Sequence, residues 1–224
     1  MTNSLAKVLI TGGNGQIAHS LARNPLKSSF QLIGCTRKDL DITNAASIQD
    51  AIEKYKPDII INTAAFTAVD KAESERDAAK QANVDGAENL AKISAKHNIV
   101  LLQLSSDYVF DGSRNTPYKE DDAANPINYY GLTKWQAEET IRQHCEKHII
   151  LRVSGVFSAY GTNFYNTIQK LVASKTPLRV VADQITCPTY ADDIAGALLT
   201  IAKKPGQFGT YHFCSTPPVT WHHF

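Results

Sequence analysis

Tyr130 and Lys134 stand four residues apart in "NPINYYGLTKWQAEETI" (125–141), a stretch with helical spacing, so phenol and ammonium share one helix face. Such a pair means little without context. The context is Ser106 in "LSSDYVFDG" (104–112), where an apolar strand ends in polar residues instead of running cleanly into a loop. A hydroxyl, a phenol and an ammonium in one cleft suit reduction of a carbonyl. Lys134 is expected to favour the phenolate of Tyr130 and to lower its pKa from about 10 toward neutral. Tyr130 would then protonate the oxygen developing on a substrate. Ser106 would hydrogen-bond that same oxygen. The hydride must come from a cofactor. Taken singly, Ser106 also reads as a strand-end cap and Tyr130 as a half-buried helix residue.

These residues need a scaffold that brings strand ends together. Short β-rich runs at 7–11, 30–36, 58–62, 99–105, 149–153 and 178–182 alternate with helical patterns at 44–55, 76–97, 128–147, 163–174 and 191–203. Several strands are continuously apolar, as in a sheet covered on both faces. The alternation predicts an α/β fold, a doubly wound parallel sheet of Rossmann type with right-handed crossovers. Such sheets bind ligands beyond the carboxyl ends of their strands, which is where "LSSDYVFDG" places Ser106.

The first strand runs into "TGGNGQIAHSLA", with Gly12, Gly13 and Gly15 before a helical pattern and Ala18 at the place of a third glycine. A sharp turn, close backbone approach and a helix N-terminus facing an anion are what a dinucleotide pyrophosphate requires. The second strand ends in "GCTRKDLDIT". Arg37 and Lys38 follow where a carboxylate would mark NAD, and cations there suit a 2′-phosphate. Asp39 and Asp41 come later and could instead reach the adenine. The cofactor set drawn from this segment is Arg37, Asp41 and Ile42. The expected cofactor is NADPH, with NADH as the alternative.

Composition narrows the remaining classes. The chain has 224 residues, 43% hydrophobic and 20% charged, with a net charge of +1. That supports one sizeable core with a smaller lobe. No Lys/Arg block exceeds two residues, which argues against nucleic acid. No apolar run approaches the roughly 18 residues of a membrane span. The N-terminus enters a strand directly, without a signal-peptide pattern, and a cytoplasmic location is expected. Four scattered cysteines without a CxxC are expected as reduced thiols. His144 and His148, four apart beside Cys145, lack a third ligand; no metal site is expected.

Several motifs together carry a family resemblance. The glycine turn, "LSSDYVFDG" and "YGLTK" resemble an extended short-chain dehydrogenase/reductase. "NTAAFTAVDKAESE" (62–75), "NPINYYGLTKWQAEE", "GTNF" (161–164), "DQITCPTYADDIA" (183–195) and "GTYHFCSTPPVTWHHF" (209–224) extend the likeness from end to end, to the dTDP-4-dehydrorhamnose reductases. The resemblance implies that Ser106, Tyr130 and Lys134 are the catalytic set. It places Gly12, Gly15, Gln16 and Ile17 in the cofactor loop, and Asn62, Ala64 and Ala65 along the nicotinamide half. Tyr130 and Lys134 would also contact the cofactor. Asp107, Tyr108, Asn163 and Phe164 would face the sugar. The implied activity is reduction of the C4 keto group of a 4-dehydro-6-deoxy sugar nucleotide, for surface polysaccharide synthesis. A non-catalytic regulatory subunit, like the β subunit of methionine adenosyltransferase, is the alternative from another class. A sugar-nucleotide epimerase or dehydratase is a third reading, since Asp107 stands beside the catalytic hydroxyl. A homodimer fits any of these.

The sequence departs from the family pattern in three places. Gly155 in "LRVSGVFS" replaces a Trp common in the family's "RTSWVY", and Ser106 stands where Thr is common. The family also continues beyond the position of Phe224. Residues 1–152 and 178–203 are expected to form the dinucleotide domain, and 153–177 with 204–224 parts of a sugar lobe. "TYHFCSTPPVTWHHF" reads as a strand, a Pro-Pro turn and the first turn of a helix. A helix stopped there would fray. The chain is therefore expected to be part of a longer protein, with apolar surface around Phe164, Trp221 and Phe224, cofactor binding retained and sugar turnover weak.

Overall fold

The computed structural model describes residues 5–175 and 177–224. Six parallel strands form the central sheet: β1 (Ala6–Thr11), β2 (Phe30–Gly34), β3 (Ile59–Asn62), β4 (Val100–Ser106), β5 (His148–Val153) and, after three short strands, β9 (Gly209–Phe213). Their order is β2-β1-β3-β4-β5-β9. The short strands are β6 (Val156–Phe157), β7 (Ile185–Thr186) and β8 (Thr189–Tyr190). β6 pairs with β8, and β7 pairs with β10 (Val219–Thr220). The helices are α1 (Gln16–Arg23), α2 (Ala45–Tyr55), α3 (Val69–Ala72), α4 (Arg76–Lys80), α5 (Gly86–Lys96), α6 (Tyr129–His144), α7 (Phe164–Ala173) and α8 (Ala191–Lys203).

The period-2 alternation of each strand sorts its side chains to two cores. Val8, Ile10, Ile59, Ile61, Leu102 and Leu151 pack with Leu21 of α1 and Leu198 of α8 on one face. Leu9, Ile60, Leu101 and Ile150 pack with Ile48 of α2, Leu90 of α5 and Ile141 of α6 on the other. Both faces are covered, which is why these strands read as unbroken apolar runs. The start of α2 is fixed by Asn44, whose side chain accepts from the N–H groups of Ala46 and Ser47 at 3.0 and 3.4 Å. Among the described residues, no helix is long and apolar enough to cross a membrane.

Three expectations fail. Residues 178–182 are not a strand. The place beside β5 is taken by 209–213, and the backbone of the 178–184 segment bonds instead to 221–222, with His222 N–H donating to Val181 O at 3.1 Å and Trp221 N–H to Gln184 O at 3.3 Å. Strand 209–213, expected in the sugar lobe, therefore belongs to the main sheet. The segment after Thr220 is a turn rather than a helix, because β10 has already paired with β7. The 76–97 helix forms, but 81–85 is a π-helical turn inside it. α6 ends at His144, so His148 lies on β5 and not on the same helix. Burial of Phe164, Trp221 and Phe224 is only partial, and Phe224 stays 40% exposed. α7 has no fully buried residue.

Candidate active site

Parallel pairing brings the carboxyl ends of β1, β3 and β4 to one edge. Thr11, Asn62 and Gln103 stand in register there. The Thr11 hydroxyl donates to Asn62 Oδ1, and Asn62 Nδ2 donates to Gln103 Oε1 at 2.7 Å. Ala64 N–H also donates to Asn62 Oδ1, at 3.2 Å, which sets the direction of the chain through Ala64 and Ala65.

Beside this edge lies the glycine turn. Gly12 has φ +66°, and a Cβ on it would lie 2.8 Å from the backbone nitrogen of Ala64. Gly13 N–H donates to Cys35 O and Gly15 N–H to Gly12 O, both at 2.8 Å. Gly15 caps α1 with no side-chain hydrogen bond, and no acidic residue lies in the first turn. This bare helix start can take an anion. Gln16 Oε1 accepts from Ser158 Oγ at 3.0 Å and Asn163 Nδ2 at 3.2 Å. Ile17 is buried in the core, so only its backbone faces the turn.

At the end of the second strand, the Arg37 side chain is 79% exposed and its Nε meets Asp41 Oδ2 at 3.2 Å. Burial alone would raise Asp41, but hydrogen bonds from Thr43 and the Arg37 guanidinium bring its carboxyl below the usual range. Ile42 is buried against Gly86.

Ser106, Tyr130 and Lys134 converge. Asn128 caps α6, its Oδ1 accepting from Gly131 N–H at 2.7 Å, so the helix begins just before Tyr130. Lys134 is buried, and its Nζ donates to Leu104 O at 2.8 Å. Burial lowers its pKa to about 8, against the opposing charge of Glu138. The Tyr130 phenol is pushed up, chiefly by burial and then by the Asp107 carboxylate, with the Ser106 hydroxyl acting in the opposite direction. This corrects the expectation that Lys134 lowers the phenol's pKa. The ammonium is turned to a backbone carbonyl, and desolvation with a nearby anion governs the phenol.

Ser106 Oγ donates to Asp107 Oδ1 at 2.9 Å, and Ser154 Oγ donates to Asp107 Oδ2 at 2.5 Å. Burial lifts the Asp107 carboxyl above its ordinary range in spite of these bonds. The Tyr108 ring meets Tyr130 edge-on, centroids 5.6 Å apart, and Tyr108 is 37% exposed. The other two sugar-side residues lie elsewhere. Asn163 caps α7 through Asn166 N–H at 3.0 Å and also donates to Ser158 O at 2.9 Å. Phe164 packs on Trp221, centroids 4.6 Å apart, beside a cavity of about 440 Å³ that Ile168, Leu171, Leu178 and Val181 also line. Their contacts run to the glycine turn and the C-terminal aromatics rather than to Ser106, Tyr130 and Lys134.

Gly155, with φ +51°, would place a Cβ 3.0 Å from Pro188 Cα, so the position has no room for an aromatic side chain. All four cysteines are free thiols. Among the described residues, no group of three or more His, Cys, Asp or Glu could hold a metal ion.

Three supporting residues escape the sequence reading. Asn83, in the π-helical turn, accepts from Phe66 N–H at 2.8 Å and donates to Thr133 Oγ1 at 2.9 Å, tying the loop after β3 to α6. Ser154 holds Asp107, and its place just past the end of a strand was a usable signal. Glu138 lies one helical turn beyond Lys134, a spacing visible in "YGLTKWQAE".

Comparison with known proteins agrees with the fold. The family model described as RmlD substrate binding domain matches residues 6–224. A dTDP-4-dehydrorhamnose reductase of Aggregatibacter actinomycetemcomitans is 41% identical over 98% of this chain and 77% of its own length. The spore coat polysaccharide biosynthesis protein SpsK of Bacillus subtilis is 38% identical over 98% of this chain and 77% of its own. The crystal structure of dTDP-4-dehydrorhamnose reductase from Bacillus anthracis in complex with NADP superposes with a TM-score of 0.94 at 36% identity, covering 98% of this chain and 78% of that one. With its motifs, its fold and its relatives in agreement, the chain belongs to the RmlD substrate binding domain family, that of the dTDP-4-dehydrorhamnose reductases.

Proposed function

We propose that this chain uses NADPH to reduce the C4 keto group of a dTDP-4-dehydrorhamnose-like sugar nucleotide. The observation that carries the reading is the convergence of Ser106, Tyr130 and Lys134 at the carboxyl edge of a dinucleotide-type sheet. Relatives 35–41% identical and named for this activity support it.

The cofactor site fits. At Gly12 a side chain would strike Ala64, so the backbone there is bare, and α1 starts without a side-chain cap. Gly12, Gly15, Gln16 and the backbone of Ile17 would hold the diphosphate. Asn62, Ala64 and Ala65 would border the nicotinamide half, and Arg37 with Lys38 the 2′-phosphate, while Asp41 and Ile42 would stand near the adenine. When bound, NADPH supplies the hydride.

The protein's part is positioning and proton supply. Tyr130, whose phenol is protonated at neutral pH, gives its proton to the C4 oxygen as that carbon gains hydride, and the keto group becomes a secondary alcohol. Ser106 hydrogen-bonds the same oxygen. The Lys134 ammonium, held at Leu104 O, offers charge to the cofactor ribose. Asp107 and Tyr108 border the sugar, with Asn163 and Phe164 further out. In this reading residues 153–175, 177–190 and 214–224 form the sugar lobe, with 178–190 added to it by their pairing with 156–157 and 219–222. The enzyme works in the cytoplasm as a homodimer.

The test is to mix the protein with NADPH and a panel of 4-keto sugar nucleotides and to follow the nicotinamide absorbance. Substrate-dependent loss of absorbance with the dTDP-linked 6-deoxy sugar is expected. No turnover with any member of the panel would sink the reading. Light scattering reports the oligomeric state.

A further inference from the structure

Behind the catalytic groups lies an ionic cluster, with Glu138 and Arg152 buried and Arg142 at its partly exposed edge, that the reduction, as described, does not use. Glu138 is completely buried. It accepts four hydrogen bonds: Ser105 Oγ at 2.6 Å, Arg152 Nε at 2.9 Å, Arg152 Nη2 at 2.7 Å and Arg142 Nη2 at 2.8 Å. Arg152 is 3% exposed and reaches on to Glu120 O and His212 Nε2, each at 3.3 Å.

A buried ion pair gives little net stability, since apolar residues of similar volume often do as well or better. Its position here supplies another reason for it. Three successive residues at the end of β4 face three groups of the site: Leu104 O accepts from Lys134, Ser105 donates to Glu138, and Ser106 donates to Asp107. Glu138 sits one turn from Lys134 on the same helix. We propose that Glu138, gripped by Arg152, is a positioning residue for the reduction: it fastens the end of β4 to the helix carrying Tyr130 and Lys134, and its charge keeps the Lys134 ammonium in place.

The charges around Lys134 are consistent with this. On its own helix stand Tyr130, Glu138 and, beyond, Arg142. β4 presents the Leu104 carbonyl and the Ser105 and Ser106 hydroxyls, with Asp107 just past its end, and β5 presents Arg152. Burial depresses Lys134, and Glu138 is the charge that opposes the depression. Without that carboxylate, Arg152 and Arg142 would add unbalanced positive charge and depress it further.

The inference rests on the cofactor-binding reading, and its test is arranged to be separable from the sugar chemistry. NADPH affinity is measured by fluorescence from pH 6 to 10, with no sugar present, for wild type, Glu138→Gln and Glu138→Asp. Wild-type affinity is expected to weaken as Lys134 loses its proton. Glu138→Gln should move that midpoint down by about one pH unit, because a single neighbouring countercharge is gone. Glu138→Asp keeps the charge and should keep the midpoint. An unmoved midpoint in a folded Glu138→Gln variant overturns the proposal. Where that variant does not fold, Ser105→Ala removes only the link to β4. It should lower kcat about tenfold with the NADPH KM unchanged, the upper range for losing the one hydrogen bond that ties the end of β4 to the catalytic helix. Wild-type kcat in Ser105→Ala would also overturn the proposal. A wild type that binds NADPH but reduces no sugar nucleotide would defeat the substrate reading and leave the Lys134 midpoint measurable.

Discussion

Replacing Gly12 by Ala tests whether the close approach of two strand-end loops builds the cofactor turn. The structure puts two costs on this substitution. The first is conformational: φ is +66°, and an L side chain in that region costs about 1–2 kcal/mol. The second is steric. The new Cβ would lie 2.8 Å from Ala64 N and 2.9 Å from Ala64 Cα, both backbone atoms that cannot swing aside. Forcing such a shift costs about 1–3 kcal/mol. Together they predict a loss of about 2–5 kcal/mol, or about 4–20 °C in Tm for a chain of this size. Gly112 provides the control. Its φ is +70°, yet nothing lies within 4 Å of its Cβ position, so Gly112→Ala carries the conformational cost alone. Thermal unfolding of both variants, with NADPH titrations by fluorescence, separates the two contributions. Gly12→Ala should be the less stable and should lose at least tenfold in NADPH affinity, while Gly112→Ala keeps it. Equal losses of stability in the two variants, with NADPH affinity intact in both, would refute the close-approach reasoning.

Tyr130→Phe should cut kcat by about 10²–10⁴-fold and leave NADPH binding in place, since the phenol's proposed work is proton donation; near-normal turnover with a verified substrate would remove that role. NADPH should bind more tightly than NADH by about 10- to 150-fold, the range expected of a charge-assisted contact to phosphate, and the double change Arg37→Ser, Lys38→Ser should erase the difference. Paired titrations decide it, and equal affinities in wild type would be a failure. The Lys134 amine is depressed to about 8 by burial. Between that value and the ordinary value near 10.4 the unfolded chain binds more protons than the folded one, so stability should rise with pH across this window, by at most about 3 kcal/mol. Denaturant melts of wild type and Lys134→Met at pH 7.5 and 10 read this directly: the stability difference should shift in favour of wild type at the higher pH, and a constant difference counts against a desolvated Lys134.

Much of this protein was settled by local pattern. Apolar runs bounded by turns placed β1 to β5, because strands covered on both faces must be apolar throughout. The turn at Gly12–Gly15 was legible because backbone conformation restricts which residues can stand there. Tyr130 and Lys134 were legible because helix geometry fixes which side chains share a face. Tertiary structure decided whatever depends on partners distant in sequence. The runs at 178–182 and 209–213 both looked like strands. Only the second lies against β5, and the first bonds to residues 221–222 instead, a choice no local window contains. Asn163 looked like a sugar contact, yet its side chain is spent on Gln16 and Ser158. Asn83 joins Phe66 to Thr133 across 17 and 50 residues of chain. The charge state of the site was likewise beyond the sequence. Lys134 was expected to lower the Tyr130 pKa; instead burial and then the Asp107 carboxylate raise it, and the fold turns the ammonium toward Leu104 O. Desolvation is a property of the packed cleft, and it exists only once β4, β5 and α6 have come together.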